Sequence, residues 1–120
     1  AFLAALVGSG IPCERFAFEG SLPHKPSARR KHLEAVRREG RTLVFYESPH
    51  RASKALRDMA EILGDRPACV AREITKKFEE YLRGGLAELV GEVASRKKLG
   101  ELVIVVQGLR TSAAGGEEPS

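Results

Sequence analysis

Three short apolar runs, Thr42-Leu-Val-Phe-Tyr46, Ala68-Cys-Val-Ala71 and Leu102-Val-Ile-Val-Val106, are separated by segments with helical spacing. Runs of this length, rich in β-branched and aromatic residues, suit strands covered on both faces. Between them, Ala52, Ala55, Leu56, Met59, Ala60 and Leu63 form one helical stripe. Leu86, Leu89, Val90 and Val93 form another at i, i+3, i+4, i+7. A chain that alternates in this way is restricted to an α/β fold, with one central sheet flanked by helices.

Local signals divide the rest. Residues 1–8 read as the last turns of an apolar helix, ended by Gly8-Ser9-Gly10. Arg15 to Glu19 reads as a short strand with Phe16 and Phe18 directed inward. After a loop marked by Pro23 and Pro26, Ser27 is expected to cap a basic helix running to about Glu39 and closed by Gly40. Its apolar positions are chiefly Ala28, Leu33 and Val36, so only a narrow stripe faces a core. Ser48 fits as an N-cap with Pro49 as the first helical residue, and Gly64 ends that helix. Thr75 to Glu79 reads as a charged connection, and Glu80 to Arg83 as a brief strand before a break at Gly84-Gly85. Arg96, Lys97 and Lys98 suit the C-terminal end of the last helix, where cations meet the dipole. Residues 1–108 are expected to form one domain, and 109–120, small and Gly-rich, a disordered tail.

Charge narrows the partners. From Lys25 to Arg41, seven bases face two acids, within a chain of net charge +4. Such a cluster suits a polyanion such as RNA, or simply a solvated helix face. No run approaches the roughly 20 apolar residues that span a bilayer, so no membrane partner is expected. The apolar opening Ala1 to Val7 has no bases before it and does not read as a signal peptide. Cys13 and Cys69 have no metal-ligand spacing, and the chain has three His and no CxxC pair. No metal is expected, and a reducing cytoplasm is a simpler reading than a disulfide.

In α/β sheets, ligands lie beyond the C-terminal ends of strands. That rule marks Tyr46 to Arg51, Arg72 to Thr75, and Gln107-Gly108. Tyr46 offers a ring for stacking and a hydroxyl, and Glu47 an acceptor for ribose hydroxyls. The free N–H groups of the helix starting at Pro49 suit an anion or polar edge; the alternative is a capped helix with no ligand. Arg72-Glu73 is either part of a site or a surface ion pair. Thr75-Lys76-Lys77-Phe78 is a phosphate loop or an ordinary turn. His24 and His32 have no evident acid partner in sequence and read as surface residues. No P-loop, nucleophile elbow or dinucleotide glycine fingerprint occurs.

Four segments carry a family resemblance: Arg41-Thr-Leu-Val-Phe-Tyr-Glu-Ser-Pro-His-Arg51; Ala71-Arg-Glu-Ile-Thr-Lys-Lys-Phe-Glu-Glu80 followed by Arg83-Gly84; Phe16-Ala-Phe-Glu-Gly20 with Leu22-Pro23; and Gly100-Glu-Leu-Val-Ile-Val-Val106. In order and spacing the chain resembles the ribosomal small-subunit cytidine 2′-O-methyltransferases, the RsmI family of the tetrapyrrole methylase superfamily. The resemblance implies the C-terminal domain of a two-domain fold, with a single mixed sheet. It implies S-adenosylmethionine held between the domains, a homodimer, and methyl transfer to a cytidine ribose in small-subunit ribosomal RNA. The cofactor-facing positions it implies are Phe45, Tyr46, Glu47, Ala71, Arg72, Glu73, Gly100, Glu101 and Leu102. Lys25, Arg29, Arg30, Lys31, Lys76 and Lys77 become the candidates for RNA contact. No catalytic residue is assigned; Glu47 and Glu73 are candidate bases by location. The family's N-terminal domain has no counterpart here, so this chain alone is expected to be inactive. Two other readings remain: a methyltransferase for a tetrapyrrole or other small molecule, and a non-catalytic RNA-binding or dimerisation module.

Overall fold

The apolar runs and helical stripes become β1 (Phe16–Ser21), α1 (Pro26–Val36), β2 (Thr42–Glu47), α2 (Pro49–Leu63), β3 (Pro67–Glu73), β4 (Glu79–Gly85), α3 (Leu86–Ala94) and β5 (Leu102–Val106). These are seen in a computed structural model that describes residues 8–12, 14–73, 79–96 and 100–110. The strands form one sheet in the order β1-β2-β5-β3-β4. β1 and β2 are parallel, whereas β5 is antiparallel to both its neighbours, and β4 is antiparallel to β3. The sheet is therefore mixed, and the last strand lies at its centre.

β5 is buried at all five positions, as its unbroken Leu-Val-Ile-Val-Val requires. Alternate residues divide between two cores. Phe45, Val70 and Ile104 face the helices and pack with Leu56, Met59 and Leu89. Each such side chain contributes roughly 1.5–3 kcal/mol. Val44, Cys69, Ala71, Val103 and Val105 form the opposite face, with Ile11, Tyr46 and Tyr81 against it. The segment 8–12 lies across that face. The Arg83 guanidinium donates to the carbonyls of Gly8 and Ser9, and the Thr42 hydroxyl to that of Pro12.

Two expectations are corrected. Phe16 and Phe18 do not point into the main core: they are 37% and 50% exposed, and Ala17 turns inward instead. The period of two is real, but β1 is an edge strand and the helices cover only its other face. The Phe18 ring meets Tyr46 edge-on at 5.2 Å. The basic helix begins at Pro26, with Lys25 rather than Ser27 at the cap, and ends at Val36. Proline at the first helical position overrides the stronger capping chemistry of serine one residue later. The Ser48-Pro49 start and the Gly64 stop of α2 stand as read, Gly64 having φ +93°. Residues 1–7, 13, 74–78, 97–99 and 111–120 lie outside the described residues, and with them nearly all of the opening helix, Cys13, most of the charged connection, Lys97-Lys98 and all of the tail but Leu109 and Arg110.

Candidate functional site

Register brings the distant motifs together. Glu47 pairs with Leu102, and Leu102 pairs with Arg72. Arg72 pairs in turn with Glu80, and Glu73 with Glu79. The C-terminal ends of β2 and β3 thus share one end of the sheet with the N-terminal ends of β5 and β4. On the face away from the helices, Tyr46, Val103, Ala71 and Tyr81 form a single cross-strand row. Gly100, at φ +66°, and Glu101 lead into this end. Antiparallel β5 also corrects one sequence expectation: Gln107-Gly108 lies at the opposite end, where the Gln107 amide donates to the Pro67 carbonyl. The strand-end rule presumes parallel strands.

Side chains at the shared end do different work. Tyr46 is half-buried and faces the side of the sheet away from the helices. Phe45 is fully buried in the helix-side core, so only its backbone can reach a ligand. Glu47 is 3% exposed, and its Oε2 accepts from the Ser48 amide at 3.0 Å and from Arg51 Nε at 3.1 Å. It holds the start of α2, a carboxylate at the positive end of the helix dipole. Arg72 donates to Glu80 at 2.7 Å, and Glu80 also accepts from Arg96 at 2.7 Å. This chain of charges ties β3, β4 and the end of α3 around a small cleft reached by Pro49 and Leu102. Sequence reading missed Glu80 and Arg96 because residues eight and sixteen positions apart become neighbours only through sheet pairing. Ser48, expected as an N-cap, holds that position but makes no side-chain cap bond, and among the described residues its buried hydroxyl has no hydrogen-bond partner. The side chain of Glu73 lies outside the described residues, as do Lys76 and Lys77.

The basic helix is not uniformly free. Lys25 and Lys31 are exposed. Arg29 is turned inward, 6% exposed, donating to Asp58 at 2.6 Å and to the His24 carbonyl at 3.3 Å. Its guanidinium fastens α1 to α2, because the helix offers few apolar positions for that purpose. Arg30 donates to Asp58 at 2.7 Å and Glu61 at 2.9 Å, and those hydrogen bonds raise its pKa. His32 does have an acid partner, Glu19, at 3.0 Å across to β1. Among the described residues, no group of three His, Cys, Asp or Glu gathers as a metal site. No described helix is long and apolar enough to cross a membrane.

The fold places the chain among methyltransferase structures. The methyltransferase CobJ superposes with a TM-score of 0.64 at 21% identity, covering 99% of this chain and 53% of that one. Uroporphyrin-III C-methyl transferase from Thermus thermophilus, complexed with S-adenyl homocysteine, superposes with a TM-score of 0.53 at 22% identity, covering 84% and 48%. Residues 1–90 match the model of the Tetrapyrrole (Corrin/Porphyrin) Methylases, and the chain belongs to that family. Sequence relatives are more specific. Ribosomal RNA small subunit methyltransferase I of Xylella fastidiosa (strain 9a5c) is 52% identical over 111 residues, covering 90% of this chain and 41% of the relative. The proteins of the same name from Pseudomonas aeruginosa and Bacillus subtilis are 47% and 42% identical, each over 98% of this chain and 42% and 40% of their own length. The chain spans about 40% of the curated relatives it matches.

Proposed function

We propose that this chain forms one wall, the C-terminal half, of an S-adenosylmethionine-dependent methyltransferase that modifies a cytidine 2′-hydroxyl in small-subunit ribosomal RNA. The observation that carries the reading is the convergence of Tyr46, Ala71 and Leu102 at one end of the sheet. The names of relatives at 42–52% identity support the RNA substrate. The residues present fit one side of a cofactor cleft. The Ser48 hydroxyl, unpartnered among the described residues, offers a polar contact, and the Tyr46 ring offers a flat one.

S-adenosylmethionine, when bound, supplies a methyl group already activated by its sulfonium. This chain's residues then act by binding and orientation. The row from Tyr46 to Ala71 provides an apolar floor, and the backbone of Gly100 to Leu102 lies at its rim. Phe45, Glu47 and Arg72 act behind that floor: Glu47 fixes the start of α2, and Arg72 with Glu80 fixes the β3–β4 edge. Glu47 is occupied by Ser48 and Arg51, which leaves Glu73 as the base candidate on this chain. Lys25, Lys31, Arg30, Lys76 and Lys77 are the candidate RNA contacts, with Arg29 assigned to the helix junction. A homodimer in the cytoplasm, with residues 1–108 as the domain, completes the reading.

Transfer of labelled methyl groups to purified small ribosomal subunits tests it, using this chain alone and then joined to a family N-terminal domain. Label on a cytidine ribose with the joined protein only is the expected result. Label on uroporphyrinogen and none on RNA would replace it with the small-molecule reading that the structural neighbours favour.

A further inference from the structure

At the end of the sheet opposite the strand-end site, a cleft of about 400 Å³ is lined by Arg37, Arg38, Glu61, Ile62, Arg66 and Leu109. Three arginines line it, two from just past the end of α1 and one from the turn before β3. Among the described residues, no carboxylate pairs with any of the three. Glu61, the one acid in the lining, is bound to Arg30 at 2.9 Å. Arg66 is only 9% exposed, and it donates to the carbonyls of Arg37 at 2.7 Å and Gln107 at 3.4 Å. Two of its five donors are used, both on neutral oxygens.

A buried cation without a counter-charge is costly. Burial and then the nearby Arg37 charge push the Arg66 pKa down. The C-terminal dipole ends of α1 and α2 offset part of this, at about half a charge each. That leaves a surplus of positive charge in a concave, solvent-reachable place. Arg37 and Arg38 are exposed and able to close on a ligand.

We propose that Arg37, Arg38 and Arg66 form a second phosphate-binding site, which takes a phosphodiester of the RNA strand at a distance from the reacting ribose. The inference rests on the RNA reading above. The two ends are joined by α1 itself: its 11 residues span roughly 16 Å, with Lys25 at its N-cap, four residues past the end of β1 that pairs with Tyr46, and Arg37 at the cleft. Lys31, exposed and midway along α1, supplies an intermediate contact for one strand. Contacts of this kind set register and orientation rather than sequence preference. Arginine suits the cleft because its planar fork matches phosphate oxygens.

The test measures affinity for a 12-nucleotide single-stranded RNA across a salt series. Three proteins are compared: unaltered, Arg37→Gln/Arg38→Gln, and Lys25→Gln/Lys31→Gln, each with its circular dichroism checked. Loss of two phosphate contacts should weaken binding roughly tenfold and reduce the slope of log K against log salt by about 1.4. The Nε–H resonance of Arg66 should move with RNA. Unchanged affinity and slope in Arg37→Gln/Arg38→Gln, with weakened binding in Lys25→Gln/Lys31→Gln, overturns the second site and leaves the RNA reading standing. An Arg66 resonance that moves equally with millimolar inorganic phosphate and with RNA assigns the cleft to a free ion and overturns the phosphodiester. Salt-independent affinity in all three proteins defeats both readings.

Discussion

Asp58 shows how one residue can decide where a helix sits. Its carboxylate accepts from Arg29 at 2.6 Å and Arg30 at 2.7 Å, and the side chains of Arg29 and Asp58 are 7% and 12% exposed. Asp58→Ala leaves the Arg29 charge buried without a counter-charge, and the expected loss is about 3–5 kcal/mol in urea unfolding. Replacing both partners, as Arg29→Met/Asp58→Leu, should cost far less, because no orphaned charge remains. A loss below about 1 kcal/mol for Asp58→Ala would mean that water reaches the pair freely. Glu39 gives a test by pH. Arg41 hydrogen-bonds it through side chain and backbone and holds its pKa at about 2, against an ordinary 4.5. A depressed folded value means the pair supports folding fully above about pH 4.5, and that support is lost as pH falls through about 2. Carbon-detected titration should place the Glu39 midpoint near 2, and Arg41→Gln should return it toward 4.5. None of these pairings was read from the sequence, and of them only Glu39 and Arg41 are close in the chain, two residues apart. Asp58 and Arg29 are 29 residues apart and meet only after two helices pack.

At the scale of elements, α1 is a helix with a weak start. Lys25 at its cap makes no side-chain hydrogen bond. Lys25→Ser should stabilise the fold by about 1 kcal/mol in thermal or urea unfolding. Under the proposed function it should also weaken RNA binding, since one of the candidate RNA contacts is lost. Such opposition between stability and binding is expected where a residue is kept for its ligand. β5 has the converse property, a tightly held exit. A Cβ on Gly108 would collide with the carbonyl oxygens of Gly40 and Arg41, and the Leu109 amide donates to the Glu39 carbonyl at 2.8 Å. Gly108→Ala should therefore destabilise by about 1–3 kcal/mol, because the obstacle is backbone and cannot rotate away. The elements themselves were largely legible, since apolar period, Ser48-Pro49 and Gly64 are local signals. The facing of β1 was not: Phe16 and Phe18 announce a strand face but not which face the helices cover.

Across the whole molecule, Cys69 reports on the sheet's integrity. It is fully buried beside the central strand, and burial raises its thiol pKa. In a Cys13→Ser background, labelling of Cys69 by a thiol reagent at pH 8 should proceed only through global unfolding. Its rate should then fall as stabilising substitutions such as Lys25→Ser are added. Fast labelling independent of stability would show that the second face opens locally, where the segment 8–12 crosses the sheet.

The sequence by itself determined the α/β class, most element boundaries, the basic helix and the family, because each depends on short-range pattern or on motifs read in order. Tertiary structure alone decided that the last strand enters the middle of the sheet, between β2 and β3, and runs against both. That placement brings Gly100 to Leu102 to the candidate site and sends Gln107-Gly108 to the far end beside Arg66. It also decided that Arg29 and Glu47 look inward while Lys25 and Tyr46 remain accessible. The physical reason is shared. Strand order and side-chain facing are set by which buried surfaces and charges must be satisfied together, and those partners lie tens of residues apart in the chain.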